Sequence, residues 1–148
     1  MNLNKFTEKA QEAVVASPQL ASEFKHAQVE PEHLLVALVQ QRDGIVANLL
    51  RKMTADPAAV ASAGHELLKT LPSAYGGSEP GMSPRMKLVT DQAQAEADHM
   101  GDEFVSAEHL FIALLDETGR SPSAQLLKQQ KITRAALDAA LKDRKSTV

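Results

Sequence analysis

The ten residues from Val29 to Leu38 recur 76 positions later as the ten from Val105 to Leu114. The two stretches, VEPEHLLVAL and VSAEHLFIAL, share six identities and two apolar exchanges. Each opens on capping-type residues, continues with Glu-His and ends in a nearly unbroken apolar run. A run that is apolar on every side is a helix only when it is buried on every side. A short strand is the competing reading, but Pro31 at a first helical position and the Leu/Ala content favour helix. A chain that carries two such runs must bury both. Two copies are too few for a capped solenoid. The repeat therefore predicts two related helical units packed face to face as a pseudo-twofold bundle.

The repeat extends beyond the central runs. At the same shift Thr7 corresponds to Ser83 and Ala21 to Ala97. After one extra residue in the second copy the shift becomes 77, so Leu49 and Leu50 match Leu126 and Leu127, and Asp56 matches Thr133. The expected organisation is one all-α domain over residues 1–148, with eight helices in two four-helix repeats. Repeat one covers about 4–71, a linker about 72–82 and repeat two about 83–144. Pro72 to Met82, rich in Gly and Pro, reads as loop. The first helix is expected from about Lys5 to Phe24, with Ser17-Pro18 predicting a kink or a fresh start at Pro18. Asp56-Pro57 and Ser83-Pro84 read as N-caps followed by first-turn prolines, and Ser106 and Thr133 read as further caps. The seventh helix is expected over Ser123–Gln130.

Composition narrows the function classes. Net charge is −3 with no long basic run, which argues against nucleic acid as a partner. The absence of cysteine removes disulfides and thiolate metal sites. The start carries no signal-peptide pattern. No apolar run approaches the roughly 20 residues of a membrane span. A cytoplasmic location and no membrane partner are the resulting expectations.

Catalytic and cofactor motifs are weak. Gly76-Gly77 with Gly81 lacks the lysine and the preceding strand of a phosphate-binding loop. His65-Glu66 begins like a zinc-protease helix, but Lys69 stands where the second histidine belongs, and no metal site is expected. The paired Glu-His dipeptides remain. Glu32 and Glu108 fall in first helical turns, where a carboxylate offsets the helix dipole by about 0.3–1 kcal/mol. They could instead edge a groove and pair with a cationic or amide group of a bound chain. His33 and His109 could bond the loop ahead of each helix. As a cap Thr7 needs no further role, and as a turn aspartate Asp102 needs none, but Asp102 lies close enough in sequence to Glu108 to concentrate acidity in the second repeat.

Several stretches together resemble the amino-terminal domains of the Clp family. They are Phe6-Thr7-Glu8-Lys9-Ala10-Gln11-Glu12-Ala13, the paired Glu-Pro-Glu-His-Leu-Leu and Ser-Ala-Glu-His-Leu-Phe, Ser83-Pro84-Arg85 and Gly101-Asp102-Glu103-Phe104-Val105. The resemblance covers essentially the whole chain. Met1 to Thr7 and Tyr75-Gly76-Gly77 are most similar to the ClpB disaggregase type. Pro18 departs from the smooth first helix of that family.

The resemblance implies the front domain of a hexameric, ATP- and Mg-dependent AAA+ stress-response chaperone. Such a chaperone threads unfolded or aggregated protein and works with a DnaK-type system. The domain itself would hold no cofactor and have no enzymatic activity. Substrate engagement would fall to Thr7, Asp102 and Glu108. The alternative it implies is an adaptor-docking or phosphoarginine-reading domain of a ClpC/ClpA-type unfoldase, with Glu32 as a secondary site residue beside Glu108.

Overall fold

A computed structural model describes residues 2–73, 79–117 and 121–146. A 3-10 turn, Leu3–Lys5, leads into α1 (Glu8–Glu23). A two-residue strand β1 (Gln28–Val29) precedes α2 (Pro31–Val39), α3 (Ile45–Lys52) and α4 (Pro57–Thr70). A second short strand, β2 (Gly81–Met82), precedes α5 (Pro84–His99), α6 (Ala107–Asp116), α7 (Pro122–Gln129) and α8 (Arg134–Ser146). The fold is all-α. Tyr75, Gly76 and Gly77 of the expected linker lie outside the described residues.

Helix starts follow the capping chemistry. Thr7, Ser83, Ser121 and Thr133 each accept from the backbone N–H three residues on, at 3.0–3.2 Å. Asp56 accepts from Ala58 at 3.0 Å. Such a cap stabilises a helix by about 1 kcal/mol. α7 therefore begins at Pro122 behind the Ser121 cap, a residue earlier than expected. Pro18 starts no new helix, because α1 runs through it as one element. The two neighbouring positions on the inner face explain why a break would be costly. Ser17 is fully buried with its hydroxyl bonded to Ala13 O at 2.9 Å, and Ala21 is fully buried as well. Packing of that face holds the helix together at the cost of one missing N–H.

All nine residues of α2 are buried, and so are the first eight of α6. Leu34, Leu38, Leu110, Phe111 and Leu114 have no exposed surface. At about 1.5–3 kcal/mol for each fully buried large apolar side chain, these two helices are the main source of core stability. α1 and α4 pack on α2, and α5 packs on α6. Gly64 lets α4 approach α2 closely, since a Cβ there would lie 2.6 Å from Val36 Cγ2.

The two halves are joined by matching backbone contacts. Phe6 bridges to Val105 in parallel, and the residues 76 later and earlier, Met82 and Val29, pair the same way in β2 and β1. Thr7 N–H donates to Val105 O at 2.9 Å, and Ser83 N–H donates to Val29 O at 3.0 Å. Each half thus lends its leading strand to the turn of the other, which is the signature of a pseudo-twofold axis. Two-residue strands carry no periodicity, so the sequence does not announce them.

Candidate functional site

The repeat places one pocket at the start of each central helix. In the second half, Met100, Asp102, Glu103, Phe104, Ser106, Glu108 and His109, together with Ile45 of α3, line a groove of about 390 Å³. In the first half, His26, Ala27, Gln28, Glu30, Glu32 and His33, with Pro122 of α7, line one of about 200 Å³. Those seven residues correspond, at a shift of 76 or 77, to seven that line the larger groove. Leu71, Pro72 and Arg85 complete the smaller pocket.

The two histidines do the same local work. His33 Nδ1 accepts from Glu30 N–H, and His109 Nδ1 accepts from Ser106 N–H, both at 2.8 Å. An imidazole that accepts at Nδ1 carries its proton on Nε2. His109 Nε2–H then donates to Asp102 Oδ2 at 2.8 Å. His33 Nε2–H donates to His26 Nδ1 at 2.8 Å. His26 stands 76 residues before Asp102, so the partner position is kept and its chemistry changed. Burial, reinforced by the neighbouring His26, pushes the His33 pKa down to about 4.

The two glutamates differ more. Glu32 is 2 % exposed and is gripped by Arg85 through both carboxylate oxygens, at 3.2 and 2.9 Å. Ser123 N–H, at the start of α7, adds a 3.0 Å bond to Glu32 Oε2. The same guanidinium also forks onto Glu117, at 2.8 and 3.0 Å. Burial raises the Glu32 pKa, but Arg85 and Ser123 more than offset it, so the carboxyl ends below its ordinary range. Bidentate pairing of this kind is among the strongest polar contacts a carboxylate makes. Glu32 therefore does more than complement a helix dipole, since it ties α2 to α5 and α7.

Glu108 is 6 % exposed and forms part of the groove wall rather than standing at its rim. Asp102 is half exposed, with 47 % of its side chain accessible, and Phe104 is 46 % exposed. Gly101 makes the turn before them, with φ +74°, a value glycine adopts without strain. Asp102 and Glu108 thus share one groove, with Glu103 as a third carboxylate. Thr7 is not among the lining residues. Its hydroxyl caps α1 through Ala10 N–H, and its backbone is tied to Val105, next to Phe104. Glu32 belongs to the other pocket. Sequence reasoning missed Arg85 as the Glu32 partner because no local spacing links residues 53 apart. The shift of 76 aligns Arg85 with Lys9 and Glu32 with Glu108, but it does not say that the members of either pair touch.

Among the described residues no group of three or more His, Asp or Glu side chains could hold a metal ion. None of the described helices is long and apolar enough to cross a membrane.

The family model of the Clp repeat N-terminal domain matches residues 5–130. The chain belongs to the Clp repeat N-terminal domain family. It is 36 % identical over 147 residues to the chaperone protein ClpB of Nitratidesulfovibrio vulgaris, covering 97 % of this chain and 17 % of that protein. It is 40 % identical over 122 residues to ClpB of Mycobacterium tuberculosis, covering 82 % of this chain and 14 % of that protein. The Clp domain thus spans about a sixth of the curated relatives it matches. Its fold is that of the Hsp104 N-terminal domain from Candida albicans, with a TM-score of 0.81 at 18 % identity over 92 % of this chain and 88 % of that one. The N-terminal domain of the ClpV1 ATPase from Escherichia coli is also similar, with a TM-score of 0.75 at 23 % identity over 93 % and 83 % of the two chains.

Proposed function

We propose that this Clp domain is the substrate-engaging front end of an ATP-dependent disaggregase, and that it holds unfolded or aggregated polypeptide segments in the second-half groove. One observation carries the reading. Three carboxylates, Asp102, Glu103 and Glu108, share a groove of about 390 Å³ with the apolar side chains of Ile45, Met100 and Phe104. Segments exposed by unfolding present apolar side chains next to polar and charged ones. An apolar wall suits the former, and carboxylates take amide N–H groups, ammonium or guanidinium from the latter. Affinity in such a shallow site is weak, which suits a domain that must release its cargo to a motor.

Asp102 and Glu108 are the residues assigned to this contact. Thr7 contributes by fixing the Phe104–Val105 edge through its backbone. Threading, ATP and Mg use, hexamer assembly and cooperation with a DnaK-type chaperone belong, on this reading, to the longer protein. The alternative of joint phosphoarginine reading by Glu32 and Glu108 is disfavoured by the Arg85 fork that already occupies Glu32.

The test is fluorescence anisotropy with a labelled, permanently unfolded protein. Glu108→Gln and Asp102→Asn remove charge with little change of shape. Both variants should bind more weakly while their thermal unfolding stays cooperative. Unchanged affinity in both would rule the groove out.

A further inference from the structure

We propose that His109 is a positioning residue for the bound chain: it holds the Asp102 carboxylate in one orientation, so that the second-half groove meets its substrate with that charge already in place. The inference rests on the reading that Asp102 contacts substrate, and it adds what orients that side chain.

A half-exposed aspartate in a turn ordinarily samples several rotamers, and a ligand that uses it must order it on binding. Asp102 is tied at both ends instead. Its backbone N–H donates to Ala97 O at 2.9 Å. Its side chain is held by His109, which is 1 % exposed. Ser106 N–H donates to His109 Nδ1 at 2.8 Å, and the Ser106 hydroxyl lies 3.0 Å from the same atom. The ring proton is therefore on Nε2, which donates to Asp102 Oδ2 at 2.8 Å. The imidazole acts as a fixed strut between the start of α6 and the turn. With Oδ2 bonded to it, Asp102 still keeps 47 % of its side chain accessible and lines the groove of about 390 Å³.

The first half shows that the strut needs no carboxylate at its end. His33 accepts the Glu30 N–H and donates to His26 Nδ1, both at 2.8 Å. His26 is 7 % exposed and stacks against Phe24, with ring centroids 5.7 Å apart. A covered imidazole thus serves the turn of the first half in the place that Asp102 takes in the second. What the aspartate adds is a charge at the groove surface, and what His109 adds is its direction.

The test is a double-mutant cycle on affinity. The probe is fluorescein-labelled lysozyme, kept unfolded by reduction and carbamidomethylation, and the readout is anisotropy. Asp102→Ala should weaken binding. His109→Gln can still accept the Ser106 N–H, as in a capping box, but lacks the ring that reaches Asp102. It should weaken binding about two- to tenfold, the cost of ordering one more side chain on binding. In the Asp102→Ala background the same change should cost nothing further, whereas a role in the scaffold alone would weaken both backgrounds alike. Three-bond couplings to the Asp102 carboxyl carbon should report one χ1 rotamer in the unsubstituted domain and averaged rotamers in His109→Gln. Should that variant lose its fold, the His109 Nε2 proton serves instead, exchanging slowly with water in the unsubstituted domain and rapidly in Asp102→Ala. Equal weakening in both backgrounds, an averaged Asp102 in the unsubstituted domain, or an Nε2 proton indifferent to Asp102 would overturn the assignment and leave the groove reading intact. Unchanged affinity in Asp102→Ala would refute both.

Discussion

His33 gives this domain a measurable sensitivity to acid. The ring is fully buried and accepts the Glu30 N–H at Nδ1, a bond that exists only while Nδ1 is unprotonated. In the unfolded chain the same imidazole titrates near its ordinary value of about 6.5, whereas in the fold it titrates at about 4. A depressed folded pKa means that the unfolded state takes up the proton first. Stability is therefore unaffected above about pH 6.5 and is lost as pH falls from there towards about 4. Linkage between those two values gives a loss of about 2 kcal/mol by pH 5 and about 3 kcal/mol by pH 4. Carboxylates titrate in the lower part of the window, so the difference from a variant is the cleaner quantity. In His33→Gln the amide can still accept the Glu30 N–H, as in an ordinary capping box, but does not titrate. Urea unfolding of both proteins at a series of pH values should show the gap between them narrowing by about 2 kcal/mol from pH 7 to pH 5. Parallel pH profiles, or a His33 ring that titrates above pH 6 by NMR, would refute the reasoning.

Two further predictions concern the scaffold. Gly64→Ala gains about 1 kcal/mol of helix propensity, but its Cβ would press on Val36, which is 1 % exposed and has no room to yield. Overpacking costs about 1–3 kcal/mol, so chemical denaturation should show a net loss. Thr54 and Lys131 adopt left-handed backbone at φ 59° and 60°, a conformation that costs a non-glycine residue about 1–2 kcal/mol. Thr54→Gly and Lys131→Gly should each raise the melting temperature, and a fall in both would show that these turns are not strained.

Much of the fold can be read in the chain. The caps at Asp56, Ser83, Ser106 and Thr133, the first-turn prolines and the two apolar runs each specify a local event, and local events survive packing. Of the two outcomes Pro18 allows, the fresh start does not occur, because the rule it follows is local while the burial of Ser17 and Ala21 depends on the whole bundle. The site divides the same way. Asp102 and Glu108 are close in sequence and share a groove, and the turn at Gly101 lies between two legible helices. Glu32 and Arg85 meet only because α5 folds back against α2, and the partners of His33 and His109, His26 and Asp102, emerge only when the repeat is used to align unlike residues. The shift of 76 matches positions between the halves but does not say which of them touch. The differences it exposes, His26 for Asp102, Lys9 for Arg85 and Gln41 for Glu117, are where the two halves part in chemistry.

The central claim is that the second-half groove, and not its counterpart, meets the substrate chain. Paramagnetic broadening of the domain's amide signals by a spin-labelled, permanently unfolded protein tests it most directly. Broadening is expected to centre on Asp102 to Glu108 and the start of α3 at Ile45, with His26 to Glu32 unaffected. Broadening centred on the Arg85-filled pocket, or on the α5–α6 face around the exposed Leu88, would contradict it.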